Sequence, residues 1–362
     1  MTKKTKKKKI SHKQRMQMAQ EMAGISFWVD LRKGRLSKYT IQKHVKRTIM
    51  MIFRYVILIC LGFVIITPLW TLAKDALTHP SALASKTSVW VPTKVSTMFF
   101  EMAASRNLMN YVKTLGYTIG MTLILMLLQV TSAGLAAYSF ARLKFKGSNI
   151  LFGLVIFTII VPSESLMLAQ YATFRNLDLF GIIAHFNNGS GINLLHNPAS
   201  LFLLSFTGMG VKSGLYIYIL RQGIKGLPYS IEEAAFVDGA GFLRTFFQIV
   251  VPSASGSILT VSVLSFLWNY TDTYYKKLLL AANTPDLALT YHRQLGNIRW
   301  GINDATKANA DWLAAVNPDS PFVQNAVASA CSLLVVLPLL IMYLFIQKRF
   351  VQGVARSGLG GD

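Results

Sequence analysis

The first 47 positions are mostly polar, and then the pattern changes. Six mainly apolar stretches follow: roughly Thr48 to Leu72, Leu115 to Phe140, Ile150 to Phe174, Ala199 to Leu220, Ser255 to Leu280 and Ala326 to Phe345. Each runs about 20 residues, the length at which an α-helix crosses a bilayer core. Lipid offers no hydrogen-bond partners, so a spanning segment satisfies its own backbone as helix. The pattern predicts an all-α fold, a polytopic transmembrane helix bundle of about six spans. An even count places both termini on one side.

Composition agrees: 52% of residues are hydrophobic and 14% charged, against about 25% charged in a soluble domain. The net charge of +22 raises the question of nucleic acid. Its placement answers otherwise. Fifteen of the 37 Lys and Arg precede the first span, beginning with Lys3, Lys4 and the run Lys6 to Lys9. Such a tail fixes topology and meets anionic lipid. Segments 1–49, 141–149, 221–257 and 348–362 hold 24 Lys and Arg, and the alternate segments 73–108, 174–198 and 283–324 hold 8. The two sets are of similar length, so the bias predicts both termini in the cytoplasm. The expected organisation is a basic cytoplasmic tail (1–47), a transmembrane domain (48–347) with an inside loop 221–257 and an outside loop 283–324, and a cytoplasmic tail (348–362). No partner nucleic acid is expected, and no cleavable leader is visible.

Catalytic chemistry is missing from the pattern. No G-x-x-x-x-G-K-[ST] or H-E-x-x-H occurs, nor a G-x-S-x-G elbow. The six histidines are scattered without metal-ligand spacing. Cys60 and Cys331 both lie in apolar stretches. The chain is therefore expected to be no enzyme, with no metal and no cofactor.

Polar residues inside the spans are the candidates for transport. Intramembrane charge is functional by default, and Glu164, Lys212 and Asp272 qualify, whereas Arg54 lies close enough to a span end to snorkel. Asp272 belongs to Trp268-Asn269-Tyr270-Thr271-Asp272-Thr273-Tyr274-Tyr275. Aromatic faces beside planar polar groups suit sugar rings and hydroxyls. Glu164, Lys212, Trp268, Asn269, Tyr270 and Asp272 are the expected substrate path, with interhelical hydrogen bonding as the plainer role. Gly208, Gly210 and Gly214 predict a break or close crossing in the fourth span.

In the loop 221–257, Ser230 with Glu233 three residues on has capping-box spacing. Glu232 and Glu233 favour the positive helix end. Asp238-Gly239-Ala240-Gly241 supplies a turn, and Pro252 closes a second short helix.

This loop resembles the EAA loop of bacterial ATP-binding-cassette importer permeases: E-A-A, three residues, Gly, nine residues, I-x-L-P. Glu233, Ala234, Ala235, Gly239, Ile249 and Pro252 match, and Val251 replaces the leucine. Ala136-Ala137-Tyr138-Ser139-Phe140-Ala141-Arg142 resembles the close of the second span in sugar-importer permeases. Trp268 to Tyr275 resembles their W-N-D-type segment, and Arg349-Phe350-Val351-Gln352-Gly353 their ending. The resemblance implies a type I importer permease fold in a bacterial plasma membrane. Its implied partners are a second permease subunit, two ATPase subunits, an extracellular solute-binding protein and membrane lipid. It further implies that Glu232, Glu233, Ala234, Ala235, Asp238 and Gly239 couple to the ATPase, with Glu233 at the docking surface and Gly239 at the bend. The implied solute is a sugar or oligosaccharide. Rival readings are the same architecture with a non-sugar solute, a channel or secondary transporter acting alone, and a membrane enzyme.

Overall fold

The computed structural model describes residues 38–83, 90–178 and 180–359. The basic run Lys3 to Arg35 lies outside them, as does the tail's expected lipid contact. The described residues are helical apart from turns and two isolated bridges, Thr78 to Val95 and Leu177 to Ile192. Numbering helices of eight residues or more, they are α1 (Lys38–Leu77), α2 (Tyr111–Arg142), α3 (Ser148–Ile160), α4 (Met167–Arg175), α5 (Ala199–Phe206), α6 (Ser213–Lys225), α7 (Ser230–Val237), α8 (Ser255–Thr271), α9 (Leu287–Gly296), α10 (Ile298–Lys307) and α11 (Pro321–Leu359).

The chain forms two compact units, Met1–Leu69 and Trp70–Asp362. In the first, α1 carries basic residues up to Arg54 and an apolar surface beyond it, with Ile59, Val64 and Ile65 well exposed. In water that surface would be costly, and in hydrocarbon it is matched to its solvent.

Among the described residues three helices are long and apolar enough to cross a membrane: Gln42–Leu77, Tyr111–Arg142 and Pro321–Phe350. A fourth candidate is bent, Phe242–Ser253 and Ser255–Thr271 meeting at 81°. The other expected spans are interrupted. The third breaks after Ile160, where Val161 turns to φ −67°, ψ 123° ahead of Pro162. Proline disfavours helical backbone at the residue before it. The fourth breaks between α5 and α6. Gly208 takes φ +74°, and the Met209 N–H reaches back to the Leu204 carbonyl at 2.8 Å. This is a Schellman closure, for which glycine is the natural residue. The fifth ends as helix at Thr271, because Asp272 leaves helical backbone at ψ 124°. The segment 283–324, expected outside, is built of α9, α10 and the short helix Ala310–Ala315.

Pro252 does not close a helix. It sits inside Val251–Ser253, just after a π-helical turn over Phe246–Val250. The Val251 N–H donates to the Phe246 carbonyl five residues back. Proline has no N–H to continue the ladder, and the chain bends at Ala254.

Within the second unit α6 packs against α2, α3 and α8. Small residues make this possible. A Cβ on Gly223 would run into the Ser257 side chain of α8, and one on Gly214 into Thr158 of α3. Without a hydrophobic drive between helices in lipid, close backbone approach is a main source of association. Gly223→Val is therefore expected to lower the yield of extractable folded protein severalfold. Ser257→Gly in the same chain should restore part of it, measured by size-exclusion recovery in detergent.

Candidate functional site

The loop between α6 and α8 is held to the bundle by its own acid. Glu232 is 2% exposed. Its Oε1 accepts from Arg142 Nε at 2.6 Å, and its Oε2 from the Tyr138 hydroxyl at 2.9 Å. Arg142 also donates through a terminal nitrogen to the Leu227 carbonyl at 2.9 Å and lies 5.6 Å from the Tyr229 ring centroid. Nearby, Arg221 donates to the Phe140 carbonyl at 3.1 Å and lies over the Phe152 ring. Tyr138 packs against Phe242 and Phe246, each at 5.1 Å between centroids. The end of α2 thus carries the whole loop.

Glu232 and Ala235, two of the six residues expected to couple to the ATPase, face inward, Ala235 being 5% exposed. One sequence expectation is corrected here. Ser230 makes no capping box. The helix opens from Tyr229, already in right-handed helical backbone, whose carbonyl accepts from the Glu232 and Glu233 N–H groups. The opposite face of α7 is open: Glu233, Ala234, Phe236 and Val237 are exposed, as are Asp238 and Gly239. Val237 is 86% exposed. Gly239 takes φ +79°, and the Ala240 N–H donates to the Ala235 carbonyl at 2.9 Å, so glycine ends α7 and turns the chain.

Tyr138 and Arg142 were not singled out for this role from the sequence. A basic residue ending a span reads as an anchor, and its partner 90 residues away is not visible in the local pattern.

The six expected path residues do not form one cluster. Lys212 and Trp268 are brought together, with Lys212 Nζ 4.7 Å from the indole centroid. Both line a cavity of about 480 Å³ between α3, α4, α6 and α8. Asn269 is buried elsewhere. Its Nδ2 donates to Gln129 Oε1 at 2.8 Å and to the Ser265 carbonyl at 2.8 Å, and Ser265 Oγ donates to the same Gln129 oxygen at 2.6 Å. That is the interhelical arrangement, joining α2 to α8. Tyr270 is fully buried and its hydroxyl donates to the Val335 carbonyl of α11 at 2.9 Å. Asp272 caps the short helix Tyr274–Leu279, accepting from the N–H groups of Tyr274, Tyr275 and Lys276 at 3.1, 3.4 and 3.3 Å. Glu164 stands in the 3₁₀ turn Ser163–Leu166, and its side chain lies outside the described residues.

A buried ion pair went unread in the sequence. Lys276 Nζ and Asp286 Oδ2 lie 2.7 Å apart at 1% and 0% side-chain exposure. Thr118 of α2 donates to the same Oδ2 at 3.2 Å, and the Leu289 N–H donates to Oδ1 at 3.1 Å. No group of three or more metal-ligating side chains occurs among the described residues.

Known proteins resemble this chain in sequence and in fold. A family model described as "binding-protein-dependent transport system inner membrane component" matches residues 129–356, more than half of the chain. The galactooligosaccharides transport system permease protein GanQ of Bacillus subtilis (strain 168) is 23% identical over 318 residues, covering 88% of this chain and 98% of GanQ. The trehalose transport system permease protein SugB of Mycobacterium tuberculosis (strain CDC 1551 / Oshkosh) is 25% identical over 244 residues, covering 67% of this chain and 75% of SugB. A chain in the crystal structure of a bacterial ABC transporter involved in the import of the acidic polysaccharide alginate superimposes with a TM-score of 0.63 at 16% identity, covering 84% of this chain and 98% of that one. At that identity the likeness establishes the fold, that of an ABC importer permease.

Proposed function

Since the chain belongs to the family of binding-protein-dependent transport system inner membrane components, we propose that it is the permease subunit of an ATP-driven importer for a sugar or oligosaccharide, and that α7 is its coupling element. Curated relatives named for galactooligosaccharide and trehalose transport support the solute class. Its partners on this reading are a second permease, two ATPase subunits and an extracellular solute-binding protein. It crosses a bacterial plasma membrane with both termini in the cytoplasm, the side favoured by its lysines and arginines.

The observation that carries the reading is the two-sided character of α7. Its inner face is fastened to α2 by Glu232, and its outer face, Glu233, Ala234, Phe236 and Val237, is left uncovered. A force applied to the outer face passes through the Arg142–Glu232 pair into α2, and through the Arg142 contact with Leu227 into the segment following α6. Closure of the ATPase pair on ATP moves α7, the bundle opens outward to receive solute, and hydrolysis resets it. A rigid link is required for this: a loop that flexed would dissipate the displacement.

The test uses the assembled complex in proteoliposomes with its binding protein. Glu233→Lys and Gly239→Pro should each cut ATP-driven uptake at least about tenfold, while membrane insertion is retained. Proline cannot adopt φ +79° and removes an N–H. Lysine reverses the sign of the exposed charge. Normal uptake by both variants, or uptake by the purified chain without any ATPase, would overturn the reading.

A further inference from the structure

The cavity bearing Lys212 is built unlike a neutral sugar site. Its floor is the broken segment Gly208 to Lys212, and its walls include Thr158, Gln170, Ser213, Trp268 and Tyr275. A volume of about 480 Å³ lies in the ordinary range for small-ligand sites.

Three features there are incomplete. Lys212 is exposed and forms no ion pair among the described residues, its one recorded partner being the indole face. Gln170 is 9% exposed, yet its Oε1 has no hydrogen-bond partner. Ser213 is 4% exposed and its hydroxyl is likewise unpaired. Buried polar groups without partners cost free energy, so a cavity lined by two of them favours a polar occupant. Lys212 also stands in left-handed backbone at φ +57°, immediately before the first residue of the 13-residue helix α6. The positive end of that helix and the ammonium therefore face the same space, and both favour an anion.

We infer that this cavity receives the carboxylate of an acidic sugar, a uronide, with Lys212 as its counter-ion and Trp268 as the platform for the sugar ring. The ammonium rests on the indole face, an attraction of modest size. A carboxylate binds an ammonium more strongly by a charge-assisted hydrogen bond. It would draw Lys212 off the ring and free that face for stacking. A neutral sugar has no charge to draw the lysine off the ring and must compete with it for the platform. The inference rests on the importer reading and narrows its solute class.

The test compares uptake of paired disaccharides by the reconstituted complex: digalacturonate, dimannuronate and cellobiouronate against their uncharged parents. At least one acidic member should be taken up about tenfold or more in preference to its parent. Lys212→Asn keeps a residue suited to left-handed backbone and should abolish that preference. Lys212→Arg should restore it. Ligand-dependent change in tryptophan emission should be lost in Trp268→Phe while complex assembly by size exclusion is unchanged. Uptake of the neutral parents alone, or an acidic preference unaffected by Lys212→Asn, overturns the uronide inference and leaves the importer reading intact. Uptake of neither set, with transport of oligopeptides instead, overturns both.

Discussion

Replacing Glu232 by alanine is expected to abolish coupled uptake, lowering it by about two orders of magnitude, while the chain still inserts in the membrane. The carboxylate is the common acceptor for Arg142 and Tyr138. Its loss strands a guanidinium whose side chain is 10% exposed. Breaking a buried pair from one side costs roughly 3–5 kcal/mol. An eight-residue helix such as α7 has little stability of its own, because isolated helices below about 12 residues are marginal. The loss therefore exceeds what α7 can supply to keep its place. Limited proteolysis between α6 and α8 should become much faster, and ATP turnover should no longer respond to loaded binding protein. Glu232→Gln retains an acceptor and should be milder, costing about 1–2 kcal/mol. An alanine variant cleaved at the wild-type rate, with normal uptake, would remove the lock from the coupling path.

A second large effect is expected at Lys276 and Asp286. Asp286→Ala leaves an ammonium at 1% exposure without its anion, takes away the Thr118 contact, and uncaps α9. The expected loss is again roughly 3–5 kcal/mol, with about 1 kcal/mol of it from the cap. Thermal unfolding of the detergent-purified chain should shift clearly downward. The double variant Lys276→Met with Asp286→Leu removes both charges and should recover most of the loss, short of the cap. If the double variant were no better than the single one, the pair would be holding structure by something other than charge compensation.

These two ion pairs show where sequence reading stops. Lys276 and Asp286 are ten residues apart but separated by a turn, so no helical spacing announces them. Arg142 and Glu232 are 90 residues apart. Their complementary signs were visible, but their contact depends on how α2 passes beneath the loop. The same limit explains Glu232 and Ala235. The E-A-A pattern marks α7 as a unit, but one turn of helix has two faces, and only packing against Tyr138 and Phe246 selects the inner one. Asn269 and Tyr270 were read with Trp268 as one cluster because they are consecutive. On a helix, consecutive residues point about 100° apart, so Trp268 meets the cavity, Asn269 meets Gln129, and Tyr270 meets α11.

What the chain alone determined was its solvent and its alphabet. Long apolar runs demand helices in lipid, because the backbone has no other partner there. The charge bias, the loop pattern and the two span endings were likewise local properties, legible without coordinates. The tertiary structure decided continuity and direction. Proline and glycine could have been absorbed within a span or could have broken it, and the folded chain shows the break at Val161 and at Gly208. The opening lined by Lys212 lies beside those breaks. Which face of α7 is tethered, and which side chain of Trp268 to Asp272 reaches a cavity, depends on neighbours distant in sequence, whose positions no local periodicity encodes.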